Sequence, residues 1–307
     1  MTHTPESSSR HPPVTPAEPL GAESTTGVPR DTRDFYDVIA PYYHLIYGRS
    51  WEEHLNVQAG KIEAVLRDHL GSAGPWAILD SACGIGTQAL GLAQRGHAVT
   101  GVDLSAEAVN RAGVEAKTRN LPVEVIHGDM LMLSALTRGR SFDAVLSCDN
   151  VLRHLPGREG IELACAELAA CLKPGGILIA TLRDFTPEKQ QIAAQGTGTS
   201  FKTYSSRLTA DGEVQAFFQI GRFTDGFYEF SFMAAESSGS RVTGESCRLR
   251  LLDISAAEVR EIMLRSGFSE VTILPGVAEF YGHDLLVARR SGGSDGRVQP
   301  GDPRVGG

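Results

Sequence analysis

The chain has 307 residues, with 29 Lys and Arg against 37 Asp and Glu and a formal net charge of −8 at pH 7. This acidic balance argues against generic nucleic-acid binding, which favours a basic face, and no apolar run approaches the length of a membrane span. The five cysteines, Cys83, Cys148, Cys165, Cys171 and Cys247, are odd in number and widely spaced with no Cys-x-x-Cys, which argues against a disulfide framework or zinc site and makes a reducing cytoplasm the default.

Residues 1–33 are rich in Pro, Ser, Thr and Glu, show no apolar periodicity and lack the charged-then-apolar layout of a signal peptide. They are expected to form a disordered tail, as is the Gly- and Pro-containing stretch 291–307. Residues 34–290 suit one α/β domain carrying an insertion. From Asp34 to Leu70 the aromatic and aliphatic spacing predicts helix with a break near Pro41, and His44 reads as a packing residue.

Strand and helix patterns then alternate. Ala77–Asp80 leads to a helix over Gln88–Gln94, Ala98–Asp103 to a helix over Ala106–Asn120, and Val123–His127 to a short segment. Phe142–Cys148 leads to a helix over Arg158–Leu172, and Ile177–Leu182 follows the turn Lys173-Pro174-Gly175-Gly176. Strands separated by helices imply right-handed crossovers and a parallel sheet. Ser105 stands where an N-cap is wanted, with Glu107 in the first turn.

After Arg183 the period changes from helical to alternating. Runs such as 214–220 and 227–233, separated by the hairpin dipeptides Asp211-Gly212 and Asp225-Gly226, predict an antiparallel flap over about 200–252. A helix at Ala256–Ser266 and strands at Glu270–Leu274 and His283–Ala288 complete the domain. No helix-length apolar pattern joins those two strands, so they are expected to be antiparallel.

The turn Asp80-Ser81-Ala82-Cys83-Gly84-Ile85-Gly86-Thr87-Gln88 between strand and helix admits a ligand close to the backbone. Its glycines fit G-x-G-x-x-A, so they suit a dinucleotide, a sulfonium nucleoside, or no ligand at all. Carboxylates at three successive strand ends shift the balance toward a cationic ligand: Asp80, Asp103 and Asp129. Asp103 suits ribose hydroxyls, and Asp129 with Met130 suits an adenine ring.

Together with Phe142-Asp143-Ala144-Val145 and Leu172-Lys173-Pro174-Gly175-Gly176, this set resembles the class I S-adenosylmethionine-dependent methyltransferases over about Asp34 to Arg290. The resemblance implies a Rossmann-like seven-stranded, mostly parallel sheet with a reversed last strand, an N-terminal helical lid and the antiparallel flap. It implies S-adenosyl-L-methionine as cofactor, S-adenosyl-L-homocysteine as product, and no metal. Tyr36, Tyr43, Asp80, Cys83, Gly84, Gly86, Asp103, Leu104, Asp129, Met130 and Cys148 are the cofactor-binding candidates.

Three stretches narrow the resemblance: Asp34–Tyr47 with Trp51, Cys148–Leu155, and Thr181–Phe185. With the flap they look like the glycine/sarcosine N-methyltransferase-like branch, which acts on small amines and related molecules. Carried over by position, Tyr36 and Tyr43 lie near the methionine portion of the cofactor, and Asn150 and His154 lie below the sulfonium. Arg183 faces the substrate, where the glycine enzymes hold a carboxylate. Asn150, His154 and Arg183 are thus substrate-binding candidates, and His154, Tyr36 and Tyr43 catalytic ones. Plainer readings stay open: the tyrosines as core, His154 as a helix cap, Arg183 as a surface ion-pair partner and Cys148 as a buried apolar residue.

Where relatives in this branch often carry paired tyrosines, this chain has Arg250-Leu251-Leu252. Leucines cannot hydrogen-bond a small polar substrate, and Phe217, Phe218, Phe223, Phe227 and Phe230 of the flap add apolar surface. The expected acceptor is therefore the nitrogen of an amine or amino-acid-like molecule larger and more apolar than glycine. The alternatives are an indole or other aromatic carbon, a protein that binds cofactor without catalysis, and a nicotinamide oxidoreductase. The partner expected is a small-molecule methyl acceptor, with no nucleic acid and no membrane; a homo-oligomer is open.

Overall fold

Runs such as Ile78-Leu79 and Ala144-Val145-Leu146 are buried along their whole length, as central strands covered on both faces must be. The structure, a computed structural model, describes residues 30–40, 43, 50–71, 74–209 and 211–292. Pro41, His44 and Tyr47, with the break, packing and lid roles expected of them, lie outside the described residues, as do 1–29 and 293–307 of the two expected tails.

The helices are α1 (Arg30–Ile39), α2 (Trp51–Leu70), α3 (Thr87–Gln94), α4 (Ala106–Thr118), the single turn α5 (Leu133–Leu136), α6 (Arg158–Ala170), α7 (Thr186–Gln195) and α8 (Ala256–Arg265). The strands are β1 (Ala77–Asp80), β2 (Ala98–Asp103), β3 (Glu124–His127), β4 (Phe142–Ser147), β5 (Leu172–Leu182), β6 (Ser200–Leu208), β7 (Val214–Thr224), β8 (Phe227–Ser238), β9 (Arg241–Leu252), β10 (Phe268–Val277) and β11 (His283–Arg290). Seven of them form one sheet in the order β3-β2-β1-β4-β5-β11-β10, and β6-β7-β8-β9 form a second, antiparallel sheet. β1 to β5 run parallel, while β11 is antiparallel to both β5 and β10. The reversed last strand and the flap are as the resemblance implied.

Local chemistry sets the helix ends. Ser50, Ser105 and Ser255 cap α2, α4 and α8, each accepting from a backbone amide three residues on, and Glu258 completes a capping box with Ser255. Two elements differ from the sequence reading. The Lys173-Pro174-Gly175-Gly176 turn lies inside β5 as a bulge, the register jumping from Phe142↔Leu172 to Ala144↔Ile177. α7 has no counterpart in the reading, because only Glu188 of its ten residues is buried and no apolar stripe marks it. α1 opens at Arg30, ahead of the Asp34 expected, and Thr32 is buried.

Both faces of the large sheet carry an apolar core, one side built around Leu79, Val145 and Leu178, the other around Ile78, Leu146 and Ile179. A third, aromatic cluster joins α1 to the flap through Phe35, Ile39, Phe217, Tyr228, Phe230 and Phe232. Of the flap phenylalanines expected to face a ligand, Phe217 is buried in that cluster, and Phe227 packs on the main core. Phe223 stacks against Phe185 and Tyr228, and Phe218 against exposed Phe201. Strand alternation sends neighbouring side chains to opposite faces.

α2 crosses α3 at Gly91, where an added Cβ would stand 2.4 Å from the Leu55 carbonyl oxygen and 2.9 Å from the Ala59 Cβ. Gly113, inside α4, has no neighbour within 4 Å of its Cβ position. Gly91→Ala is therefore expected to destabilise by about 1–3 kcal/mol through overpacking. Gly113→Ala is expected to stabilise by about 0.4–1 kcal/mol through reduced unfolded-chain entropy. Denaturant midpoints of the two variants should move in opposite directions; movement in the same direction contradicts this packing.

Candidate active site

The chain enters the large sheet at β1, adds β2 and β3 on one side, then crosses to add β4 on the other. The carboxyl ends of β1 and β4 therefore flank a switch point, where neighbouring loops diverge and leave a crevice. Asp80 and Asp103 stand at the ends of β1 and β2, and Asp149 two residues beyond β4. Asp80 is buried and Asp103 and Asp149 are half-buried, and desolvation raises the pKa of each.

Their partners differ. Asp103 accepts from the Gly84 amide at 2.7 Å and the Ser105 amide at 2.9 Å, so it ties the glycine turn to the start of α4. Asp149 accepts from Gln88 at 3.1 Å, and Gln88 is bonded in turn to Gln58 of α2; the second Asp149 oxygen is buried without a hydrogen bond. Neither Asp80 oxygen makes a full hydrogen bond, the Ala82 amide giving only weak support. Burial first, then the charges of Asp103 and Asp149, push Asp80 up to about 8, while Asp149 is raised by burial to about 6. This is a site short of positive charge.

A cavity opens at these strand ends. Its wall includes Ser81 to Ile85, Asp103, Leu104, Met130, Cys148 and Asp149, with Tyr36 and Tyr43 on the lid side. Gly84 has φ +52° and open space where a Cβ would project. Gly86 plays a different part: its φ is +95° and a Cβ would meet Leu90 at 2.9 Å, so it lets the turn close onto α3. Neither Asp80 nor Asp129 is among the lining residues; the Asp129 carboxylate accepts from the Leu131 amide and caps the following turn. Cys83 and Cys148 are buried with their thiols pushed well up by burial, so neither is a thiolate.

The lid is anchored to this wall. Ser105 donates to Asp37 at 2.5 Å, Arg111 donates to the Ala40 carbonyl at 2.8 Å, and the Tyr36 hydroxyl is hydrogen-bonded to His154 Nε2 at 3.0 Å. Burial lowers His154 to about 3, so its imidazole is neutral in ordinary conditions. Its Nδ1 is buried without a partner.

A second cavity lies against the flap. Tyr36, Tyr43, Asp149 and His154 line both cavities, so the Tyr36–His154 pair stands at their junction. Phe35, Ile39, Phe230, Phe232, Leu249 and Leu251 make its apolar wall; Asn150, Arg183, Lys202, Tyr204 and His283 are its polar members. Asn150 is committed locally, accepting from the Arg183 amide at 2.5 Å. Arg183 is buried and ion-paired with Glu188 of α7.

Asp149, Arg153, Lys202 and Tyr204 escaped the sequence reading, which had marked Asn150. Asp149 and Asn150 have φ of +58° and +70°, a left-handed pair at non-glycine residues that re-aims the chain after β4. Asp149 follows a strand as Asp80 and Asp103 end theirs, and that was the available signal. Arg153 is buried and staples the flap to the large sheet, donating to the Leu252 carbonyl at 2.7 Å and the Arg183 carbonyl at 2.5 Å. Lys202 and Tyr204 sit on alternate positions of β6, where nothing local distinguishes them from a solvated face.

Comparison with known proteins agrees with this geometry. The family model described as a methyltransferase domain matches residues 78–176, from β1 to the bulge in β5. A dTDP-3-amino-3,6-dideoxy-alpha-D-glucopyranose N,N-dimethyltransferase of Streptomyces fradiae is 30% identical over 186 residues, covering 59% of this chain and 69% of that protein. A ubiquinone biosynthesis O-methyltransferase of Psychrobacter arcticus is 32% identical over 154 residues, 48% of this chain and 56% of that protein, so the chain spans about half the length of this relative. Among solved structures, the SAM-bound amino pentose methyltransferase CalS10 of Micromonospora echinaspora superposes with a TM-score of 0.64 at 21% identity, covering 83% of this chain and 96% of that one. DesVI of Streptomyces venezuelae gives 0.63 at 22%, covering 84% and 98%; at these identities the likeness is one of fold. A glycine turn beside an uncompensated buried carboxylate, at the switch point of a sheet with a reversed last strand, and this kinship together make the chain a member of the class I S-adenosylmethionine-dependent methyltransferases that act on small molecules.

Proposed function

We propose that the chain methylates the nitrogen of a small amine whose body is apolar or aromatic and larger than glycine. The observation that carries the amine reading is Asp149, a half-buried residue that lines both cavities and keeps one buried carboxylate oxygen without a hydrogen bond. An aromatic wall alone suits a carbon acceptor equally; a carboxylate at the junction favours a group with N–H bonds to donate. The Streptomyces fradiae relative is named for methylation of an amino sugar, which supports nitrogen, while the relatives named for ubiquinone biosynthesis keep oxygen as the competing acceptor.

The residues present suit the cofactor. Asp103 keeps lone pairs for hydroxyl groups, and the space beside Gly84 is open. Gly84, Asp103 and Leu104 would hold it, with Met130, Cys83 and Cys148 as apolar neighbours; Asp80, outside the lining and raised to about 8, is a carboxyl that a nearby cation would favour in its ionised form. When bound, S-adenosylmethionine supplies a methyl group already activated by its sulfonium. The chain contributes position and dryness, and holding two reactants in attack geometry can supply on the order of 7–11 kcal/mol.

At the junction the neutral imidazole of His154 is hydrogen-bonded to the Tyr36 hydroxyl, which fixes both side chains where the two cavities meet. Asp149, raised to about 6, is largely ionised at neutral pH. It can take the proton that a protonated amine must lose before its lone pair is free, and pass it to solvent. Asn150 and Arg183 shape the acceptor cavity from the β4 and β5 ends.

Incubating the full chain with methyl-labelled cofactor and a panel of aromatic amines, indoles and phenols tests the reading; label on nitrogen supports it, and label only on carbon or oxygen overturns it. Asp149→Asn and His154→Ala are expected to lower kcat by about 10²–10⁴-fold, with S-adenosylhomocysteine affinity by calorimetry changing far less. Gly84→Ala and Asp103→Ala should do the reverse, weakening cofactor binding about tenfold or more. Unchanged affinity in both removes the glycine turn from the site.

Asp80 also makes stability depend on pH. Its folded pKa is about 8, against about 3.9 in an unfolded chain, so between those values the folded protein holds a proton that the unfolded one has lost. Stability of the ligand-free chain should therefore fall as pH rises from 4 to 8, by up to about 1.4 kcal/mol per pH unit, and then level. Asp149 adds to the fall up to about pH 6. Thermal unfolding across this range should flatten in Asp80→Asn, and the cofactor-induced rise in Tm should be larger at pH 8 than at pH 6. Equal slopes in wild type and variant contradict the assignment.

A further inference from the structure

The resemblance to the glycine enzymes would give Arg183 the task of holding an acceptor carboxylate. Here its guanidinium is already neutralised by Glu188, and its backbone amide and carbonyl are taken by Asn150 and Arg153. Lys202 is different. It lies on β6, packs its ammonium over the Tyr204 ring at 5.0 Å, and has no carboxylate within ion-pair distance among the described residues. It lines the second cavity and not the cofactor cavity. We infer that Lys202 is a specificity-determining residue that binds a carboxylate on the methyl acceptor, so that the enzyme acts on amines that also carry an acid group. This rests on the reading of the second cavity as the acceptor site.

Charge bookkeeping within the cavity supports the inference. Arg183 and Glu188 cancel, and His283 is neutral because burial and the nearby cations hold it down to about 3. What remains is a cation at Lys202 and an anion at Asp149. A zwitterion satisfies both: its amine at Asp149, its carboxylate at Lys202. Burial, then the neighbouring Arg183, lower the half-buried Lys202 ammonium to about 8 against the opposing pull of Glu188, in keeping with the absence of a direct carboxylate partner among the described residues. A bound carboxylate would supply that partner, and the acidic Glu188 is too committed to Arg183 to do so. A neutral amine of the same shape would leave Lys202 desolvated and unpaired, and that asymmetry is how a buried polar group discriminates. The leucines at 249 and 251 and the phenylalanines at 230 and 232 then hold the body between the two charges.

The test uses the full chain saturated with S-adenosylhomocysteine and four probes of one shape: 3-phenylpropionate, 3-phenylpropionamide, 2-phenylethylphosphonate and phenethylamine. Calorimetry on wild type should give the carboxylate an affinity about tenfold or more above the amide. Lys202→Gln should bring the two within about twofold, Lys202→Arg should keep the preference, and S-adenosylhomocysteine affinity should stay within about twofold throughout. Equal binding of acid and amide in wild type, or a preference that survives Lys202→Gln, overturns the inference while phenethylamine binding leaves the acceptor cavity standing. A phosphonate bound about tenfold or more tightly than the carboxylate overturns the carboxylate assignment. If none of the four probes binds, the acceptor-cavity reading falls and the inference with it.

Discussion

Three carboxylates, Asp80 buried and Asp103 and Asp149 half-buried, stand near one another at the strand ends around the switch point, and much of the structure follows from the cost of keeping them there. A buried charge is tolerated when hydrogen-bonded or matched by a counter-charge. Asp103 has two backbone amides and is thereby a structural pin for the glycine turn. Asp149 has Gln88, which is held in place by Gln58 from the long helix α2. Asp80 has neither, and burial beside the other two carboxylates pushes it up to about 8, so that it keeps its proton at neutral pH unless a cation is near. The site is thus built to be incomplete without a cation, which a sulfonium nucleoside provides and a dinucleotide with its phosphates does not.

The second constraint is that two ligands must meet in a dry place. The Tyr36–His154 pair lines both cavities where they meet, and each member comes from a different layer: Tyr36 from the lid helix, His154 from the turn after β4. The lid is held to the cofactor side by Asp37 and Ala40 and to the flap by Phe35 and Ile39. Arg153 ties the exit of the flap to the end of β5 in the same neighbourhood. Lid, flap and sheet therefore converge on one point, and displacement of any one of them would open the junction to water.

Much of the fold was legible from local pattern. The strand-turn-helix at Asp80–Gln88, the capping serines, the flap hairpin at Asp225-Gly226 and the reversed final strand all depend on residues close in sequence, and the structure has them at or near the expected positions. The misses share a cause. α7 carries no apolar stripe because it covers a polar network around Arg183, and the Lys173–Gly176 bulge looks like a turn because its residues are those of a turn. Asp129 satisfies the pattern of an acid at a strand end, yet its carboxylate is used up as a cap two residues on.

The sequence by itself determined the order of strands and helices, the position of the glycine turn and the presence of acids at strand ends, because turn chemistry and periodicity are properties of neighbours along the chain. Only the tertiary structure decided which polar groups were spent and which were left over. Arg183 and Asn150, both marked for the substrate, turned out to have internal partners, while Asp149 kept an open oxygen and Lys202 has no direct carboxylate partner among the described residues. Whether a buried group has a partner depends on side chains from separate elements brought together by folding, Glu188 beside Arg183 and Gln58 beside Gln88, and a linear pattern carries no record of that pairing.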